Sequence, residues 1–150
     1  KLLIAVVLVL GIAVGLVIGY SVWYGGDTID KALVVSVIDG DTIELQDGSR
    51  VRYLGIDTPE TEEPYYSEAT AKNRELVEGK VVELQSGLRD KDEYGRLLRY
   101  VFIDGTFVNA ELVAQGYARA YIFNQDERFS QVLVQLEQYA KMKNRGPWGQ

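Results

Sequence analysis

Residues 32–56 of the chain read ALVVSVIDGDTIELQDGSRVRYLGI, and this stretch decides the fold. It contains three short segments rich in β-branched residues, which span residues 32–38, 42–46 and 49–56. The connections between them contain Asp39-Gly40 and Asp47-Gly48, and Asp-Gly between apolar strands is a strong signal for a β-hairpin. The stretch therefore predicts three consecutive strands joined by tight turns.

Two further strands are predicted downstream, at residues 80–86 and 97–103, and the second of them ends at the turn Asp104-Gly105. Five strands in one meander, with helices appended, are typical of an α+β protein built mainly on a β barrel. An alternating βαβ sheet does not fit this order. We therefore expect a small barrel packed by helices.

Three segments are predicted to be helical. The first covers about residues 65–78, and the second is a short helix with Asn109 as its N-cap and Gly116 as its stop. The third ends at Gly146-Pro147 and carries apolar residues at helical spacing, namely Phe129, Val132, Leu133, Leu136 and Ala140.

The first 24 residues differ from the rest of the chain. Residues 2–19 contain only Leu, Ile, Val, Ala and Gly, and as a helix they would be roughly 27 Å long, close to the hydrocarbon thickness of a bilayer. Tyr20, Trp23 and Tyr24 follow as an interfacial belt, and Lys1 precedes the run, which by the positive-inside bias puts the domain outside. We expect a transmembrane anchor at 1–24, a linker at 25–31 and a globular domain at 32–150.

A cleaved signal peptide is the alternative explanation of this run, and it would make the domain a secreted protein. Signal cores are normally about 7 to 15 residues long and end in small residues, so the longer run here favours an anchor in the cell membrane. Gly11, Gly15 and Gly19 lie four residues apart on one helical face, where two membrane helices can pack closely as a homodimer. The alternative is that they reflect the ordinary frequency of glycine in membrane helices.

The 150-residue chain contains no cysteine and no histidine. Disulfides, thiolate nucleophiles, His-ligated metals and Ser-His-Asp triads are therefore excluded. Any catalysis must use carboxylates, arginine, lysine, tyrosine or an oxygen-ligated metal ion. With 16 basic and 22 acidic residues, the net charge of −6 argues against tight, sequence-independent binding of nucleic acid, and no basic groove is evident in the sequence.

Acidic residues cluster in two loops that a barrel can bring together. Asp39 and Asp41 follow the first predicted strand, and Asp57 and Glu60 follow the third. Carboxylates without His or Cys suit a hard cation such as Ca²⁺. The alternative is that Asp39 and Asp41 are simply turn residues, since Asp-Gly needs no function to occur there.

Two arginines add to this pattern. Arg52 lies inside an otherwise apolar strand, and Arg96 follows Tyr94-Gly95 in a polar segment. A guanidinium group binds phosphate through two parallel hydrogen bonds and keeps its charge at working pH. The alternative for each is an ordinary solvent-facing charge.

Taken together, these motifs resemble the staphylococcal nuclease (thermonuclease-like) family over roughly residues 32–148. The segments that carry the resemblance are VIDGDTI at 37–43, VRYLGIDTPET at 51–61, YGR at 94–96 and VNAELVAQG at 108–116. The resemblance implies a five-stranded OB-fold barrel with three helices. It also implies a Ca²⁺-dependent phosphodiesterase that acts on DNA and RNA, cleaves the 5′ P–O bond and leaves 3′-phosphates.

The resemblance also implies roles for individual residues at a calcium site. Asp41 and Asp57 are similar to the carboxylate ligands of the family, and Thr58 to the residue that contributes its backbone carbonyl. Asp39 resembles a nearby acidic residue that does not itself bind the metal.

Catalytic and substrate-binding roles follow in the same way. Glu60 resembles the residue assigned to activating or orienting the attacking water. Arg52 and Arg96 look like the two arginines that grip the phosphate. Tyr94 and Tyr121 look like residues that line the nucleotide pocket.

Two other classes of protein remain as alternatives. One is a catalytically inactive OB-fold module that binds nucleic acid, which would show a broken metal set and a basic groove with stacking aromatics. The other is a membrane-anchored interaction domain, which would leave the acids and arginines unexplained. The complete set of acids and arginines favours the enzyme.

Overall fold

The computed structural model describes residues 29–122 and 128–149. Within these ranges the strands are β1 (Asp30–Val37), β2 (Thr42–Leu45), β3 (Arg50–Tyr53), β4 (Ile56–Asp57), β5 (Val81–Lys91), β6 (Leu97–Ile103), β7 (Thr106–Phe107) and β8 (Arg119–Ala120). The helices are α1 (Tyr66–Val77), α2 (Val108–Ala114) and α3 (Ser130–Met142), followed by a 3₁₀ turn (Gly146–Gly149).

Five of the strands close into a barrel. β1 pairs antiparallel with β2 and β5, β2 pairs with β3, and β5 pairs with β6. β3 and β6 then pair in parallel, with Val51 opposite Leu97, and this pairing closes the circle. The predicted five-stranded barrel with three helices is confirmed, and it is consistent with an OB-fold.

Side chains along β3 alternate between the outer face and the core, as they do in any barrel strand. Val51 and Tyr53 are almost completely buried in the core, whereas Arg50 and Arg52 are on the outer face. This alternation explains why an arginine occurs in a segment of apolar sequence. It also places both arginines on the side of the barrel that carries the site.

Two predicted strand boundaries are wrong. The third strand ends at Tyr53 and not at residue 56, because Gly55 has a φ of 75° and packs closely against Leu133 of α3. Residues after it form β4, which pairs with β8 in a separate small sheet. The fourth predicted strand corresponds to β5 and continues to Lys91. Its pairing with β6 is irregular between Ser86 and Lys91, and Lys91 then pairs with Leu97.

The prediction that Asn109 caps the second helix is also wrong. Phe107 occupies the N-cap position, and Asn109 lies inside α2 with its side chain completely buried. Its Oδ1 atom accepts the backbone N–H of Val101 at 3.0 Å, and its Nδ2 atom donates to the carbonyl of Leu54 at 2.8 Å. The residue therefore joins α2 to the barrel.

The predicted anchor at 1–24, most of the predicted linker, and Gly11, Gly15 and Gly19 lie outside the described residues. Among the helices that are described, none is long and apolar enough to cross a membrane.

Candidate active site

Arg52 is the centre of the candidate site. Its side chain is only 16% exposed, its Nε atom lies 3.1 Å from Oδ1 of Asp41, and its Nη2 atom donates to Oδ1 of Asp57 at 3.0 Å. Its Nη1 atom donates to the carbonyls of Tyr53 and Ile56 at 2.5 and 2.8 Å. All three guanidinium nitrogens are therefore engaged, and Arg52 is not a freely solvated charge. One side chain joins the two carboxylates that sequence analysis selected.

Asp41 is a buried carboxylate, 5% exposed, and not a turn residue at the surface. Its Oδ2 atom accepts the backbone N–H and the hydroxyl of Thr58, both at 3.0 Å, and its Oδ1 atom accepts the hydroxyl of Thr42 at 3.1 Å. Burial raises the pKa of Asp41 to about 6; the charge of Asp39 adds to this effect, whereas Arg52 and Thr58 oppose it. A further positive charge nearby would stabilise the ionised form of this carboxylate.

Two residues that sequence reasoning missed hold the acidic loop in place. A Cβ atom on Gly40 would lie 2.7 Å from Cβ and Oγ1 of Thr58, so only glycine allows the two loops to approach this closely. Asn73 of α1 is fully buried, donates to the carbonyl of Asp39 at 2.9 Å and accepts the hydroxyl of Tyr53 at 2.8 Å. The Asp-Gly pair was a signal for Gly40, but an asparagine within a helix carries no comparable signal.

Arg96 is held by Asp92, another residue that sequence reasoning missed. The Nε atom of Arg96 lies 2.7 Å from Oδ2 of Asp92, and Oδ1 accepts the backbone N–H groups of Tyr94 and Arg96 at 3.0 and 2.9 Å. Burial by itself would raise the pKa of Asp92, but the hydrogen bonds from Arg96 outweigh it and hold that pKa below its usual value. An aspartate that begins a turn ending in Gly-Arg was the available signal.

Four of the predicted residues line one cleft of about 290 Å³ on the outer face of the barrel, namely Arg52, Arg96, Tyr94 and Tyr121. The guanidinium carbon of Arg96 lies 5.5 Å from the centre of the Tyr94 ring. Tyr94 is 77% exposed and Tyr121 is 50% exposed, so both rings are accessible to a ligand. The cleft combines two fixed guanidinium groups with two aromatic faces, a combination that suits a phosphate joined to a planar base.

Asp39 and Glu60 are not among the residues that line this cleft. Oδ1 of Asp39 accepts the backbone N–H of Asp41 at 3.0 Å, so Asp39 helps to fix the loop that carries the buried carboxylate. Glu60 is exposed, its backbone N–H donates to Oε2 of Glu63 at 2.7 Å, and it is not among the residues that line the cleft. The structure thus does not bring Glu60 into the cleft beside the arginines.

The oxygen atoms around Asp41 and Asp57 fit a hard cation. Asp57 is 47% exposed, and the Thr58 carbonyl accepts no hydrogen bond from the described residues. No group of three or more acidic side chains suited to a metal occurs in the part of the chain that the structure describes. Two carboxylates and one carbonyl are oxygen atoms of the kind that Ca²⁺ accepts, with water to complete its coordination.

The fold and this site define a small barrel protein with a cleft that contains two arginines beside a pair of carboxylates. A family profile described as "Staphylococcal nuclease homologue" matches residues 50–150. The thermonuclease of Staphylococcus intermedius is 34% identical over 128 residues, which cover 79% of this chain and 76% of that protein. The chain belongs to the staphylococcal nuclease family.

Two relatives from Bacillus subtilis (strain 168) are similar to the same extent. The SPbeta prophage-derived endonuclease YokF is 37% identical over 132 residues, and the endonuclease YncB is 38% identical over 132 residues. Each alignment covers 81% of this chain but only 43% of YokF and 60% of YncB. The chain thus matches only about half of the length of these two relatives.

Proposed function

We propose that this protein is a calcium-dependent endonuclease that hydrolyses phosphodiester bonds of DNA and RNA, cleaving the 5′ P–O bond and leaving 3′-phosphates. The observation that carries the proposal is the single guanidinium of Arg52, which joins Asp41 and Asp57 beside a cleft that also contains Arg96. The names of the relatives, endonuclease and thermonuclease, support the same activity.

Hydrolysis of an anionic diester requires stabilisation of the charge that develops on the phosphoryl oxygens. Arg52 and Arg96 are each fixed by a carboxylate before substrate arrives, so their remaining N–H groups are preorganised to bind those oxygens. Asp41, Asp57 and the Thr58 carbonyl would hold the calcium ion. When bound, this ion supplies a Lewis acid that neutralises charge on the phosphate.

The attacking water needs a group that aligns it with the departing oxygen. In this proposal Glu60 aligns the water. Because a carboxylate is a weak base, Glu60 acts mainly by orienting the water and not by removing its proton. Glu60 is exposed on the segment after Thr58, so its carboxylate is open to water. Tyr94 and Tyr121 bind the nucleotide base and sugar on the other side of the cleft.

The main alternative is an OB-fold module that binds nucleic acid without cleaving it. Such a module has no need for two carboxylates joined by a half-buried arginine, because that arrangement reduces the positive charge available for binding. The acidic pair therefore favours the enzyme over the binding module.

We also propose that the enzyme is held at the outer face of the cell membrane by residues 2–24. The support is the uncharged run at residues 2–19 and the aromatic residues that follow it. Cells that produce the full chain should retain it in the membrane fraction after a high-salt wash, with its C-terminus open to added protease. Recovery of a soluble protein that begins near Gly25 would contradict the anchor and support a cleaved signal.

The activity itself is tested by incubating the purified full chain with single-stranded DNA in calcium and in a calcium chelator. The proposal expects cleavage only with calcium, and it expects fragments whose 3′ ends carry phosphate. Intact DNA under both conditions, or products with 3′-hydroxyl ends, would contradict it.

A further inference from the structure

A second cleft of about 570 Å³ lies next to the first and shares Tyr94 and Arg96 with it. Arg50 and Lys91 complete its basic lining, and no acidic residue lines it among the residues described. A cleft with three basic side chains and no acid is unexpected in a chain with 22 acidic and 16 basic residues. Neither Arg50 nor Lys91 takes part in the chemistry described above.

The spacing of Arg50 and Arg52 suits a polynucleotide. Both side chains are on the outer face of β3, two residues apart, so their backbone positions are about 6.6 Å apart. This is close to the separation of successive phosphates in an extended single strand. If Arg52 binds the phosphate that is cleaved, Arg50 is placed at its neighbour.

The charges of Arg50 and Lys91 are available to a ligand. Arg50 is 59% exposed and has only a loose ion pair, in which its Nε atom lies 3.7 Å from Oε2 of Glu44. Pairs of this kind contribute little to stability, so a phosphate replaces the carboxylate at small cost. Lys91 is exposed, and no ion pair to it occurs among the residues that the structure describes.

Strand pairing brings these two residues together although they are distant in sequence. Leu97, the first residue of β6, pairs with Val51 on one side and with Lys91 on the other. The closure of the barrel therefore places the end of β5 near the start of β3. Tyr94, in the turn between β5 and β6, stands between the two clefts with most of its ring exposed, where an unpaired base can stack on it.

We propose that this second cleft binds the phosphate adjacent to the cleaved one in a single-stranded polynucleotide, with Arg50 and Lys91 as its ligands. The inference rests on the proposed nuclease function and deepens it, because it makes a chain of several nucleotides the preferred substrate. It also explains how an acidic protein retains its substrate, since positive charge is concentrated along one short track. Binding of this kind is electrostatic and independent of sequence.

The test is the double variant R50Q/K91Q, compared with the control K31Q/R74Q, with melting temperatures measured for both. The control removes the same charge from an exposed lysine and an exposed arginine that line neither cleft and are paired with Glu83 and Glu78. Each full-length variant is assayed on a 12-nucleotide single strand and on a dinucleotide with a single phosphodiester.

For R50Q/K91Q we expect KM for the 12-mer to rise about tenfold, with kcat nearly unchanged, and the slope of log KM against log salt to fall by about 0.7 for each lost phosphate contact. KM for the dinucleotide should stay at the parental value. An equal rise for both substrates, or a rise for the 12-mer no larger than in the control, would overturn the inference.

Binding without turnover separates this inference from the proposed function. The dissociation constant of a fluorescent 12-mer, measured by anisotropy in chelator, should rise for R50Q/K91Q and not for K31Q/R74Q. If the parental protein cleaves nothing but this difference is found, the nuclease proposal fails and the second cleft stands. If cleavage occurs but the two double variants bind equally, the inference about the second cleft is overturned and the nuclease proposal is supported.

Discussion

At the scale of single residues, the site depends on arginines that are immobilised before any ligand binds. Arg52 contacts Asp41, Asp57 and two backbone carbonyls, and Arg96 contacts Asp92. A guanidinium group has five N–H donors in a fixed plane. Arg52 uses four of them on these partners and keeps one on Nη2 for a phosphate, and Arg96 uses its Nε donor and keeps those on Nη1 and Nη2. The compact ammonium group of lysine cannot do both.

Arg52→Lys and Arg96→Lys therefore test the role of the guanidinium while the charge is kept. Each should lower kcat by roughly 10² or more, as the loss of a preorganised donor to a developing oxyanion usually does. Steady-state cleavage of DNA in saturating calcium measures this, with Arg74→Lys on the exposed side of α1 as control. A variant with a parental kcat and only a higher KM would show that its arginine merely docks the substrate.

At the scale of elements, α1 positions the acidic loop through one buried side chain. Asn73 contacts the carbonyl of Asp39 and the hydroxyl of Tyr53, and both partners lose their hydrogen bond if the amide is removed. Burial raises the pKa of Tyr53 far above its usual value, so that hydroxyl stays a neutral donor at all working pH values.

Asn73→Ala should destabilise the protein by about 2 to 4 kcal/mol, because the buried Tyr53 hydroxyl and the half-buried Asp39 carbonyl are left without partners. Thr70→Val on the same helix is a matched control, since the buried Thr70 hydroxyl has no hydrogen-bond partner among the described residues and its removal should cost little. Urea denaturation measures both changes. Equal stability of the two variants would contradict the role given to Asn73.

The turn between β5 and β6 should make stability depend on pH through Asp92. Its pKa in the folded protein lies below the ordinary value of 3.8, so its contribution is fully present above that value and is lost as the pH falls through the lower folded pKa. Asp92→Asn should therefore lower the melting temperature at pH 7, and its difference from the parent should shrink below about pH 4. Asp30→Asn, which removes a charge from the start of β1, is the control. A difference independent of pH would contradict the assignment.

The sequence predicts those elements that are determined by local signals. β1, β2 and β3 follow from β-branched segments and Asp-Gly turns, and α3 follows from its apolar periodicity. Other features depend on contacts between distant segments, which no local pattern records. They are the β3–β6 pairing, the second half of β5 and the hydrogen bond from buried Asn109 to the carbonyl of Leu54.

The same distinction holds for the site. Arg52, Arg96, Tyr94 and Tyr121 were predicted, and the structure gathers them in one cleft. The basic cleft beside it escaped prediction because Arg50 and Lys91 approach each other only when the barrel closes.

At the scale of the whole molecule, barrel closure places an acidic pair and a basic track side by side on one outer face. Of the acidic pair, Asp41 lies in the loop after β1 and Asp57 lies in β4, and the basic track runs from β3 to the end of β5. The protein is acidic overall, so the proposed function depends on this local arrangement and not on net charge. We propose that calcium held by Asp41 and Asp57 makes this face a nuclease.

The most direct measurement is the rate of 12-mer cleavage as a function of free calcium for the parental protein, Asp57→Ala and Asp39→Ala. The account predicts no cleavage by the parent in chelator and saturation as calcium rises. It predicts a modest change for Asp39→Ala, because that side chain acts only through the loop. Asp57→Ala should require far more calcium or fail to cleave, because it loses one of two carboxylate ligands. Full parental activity in chelator, or the same calcium dependence in both variants, would contradict the account.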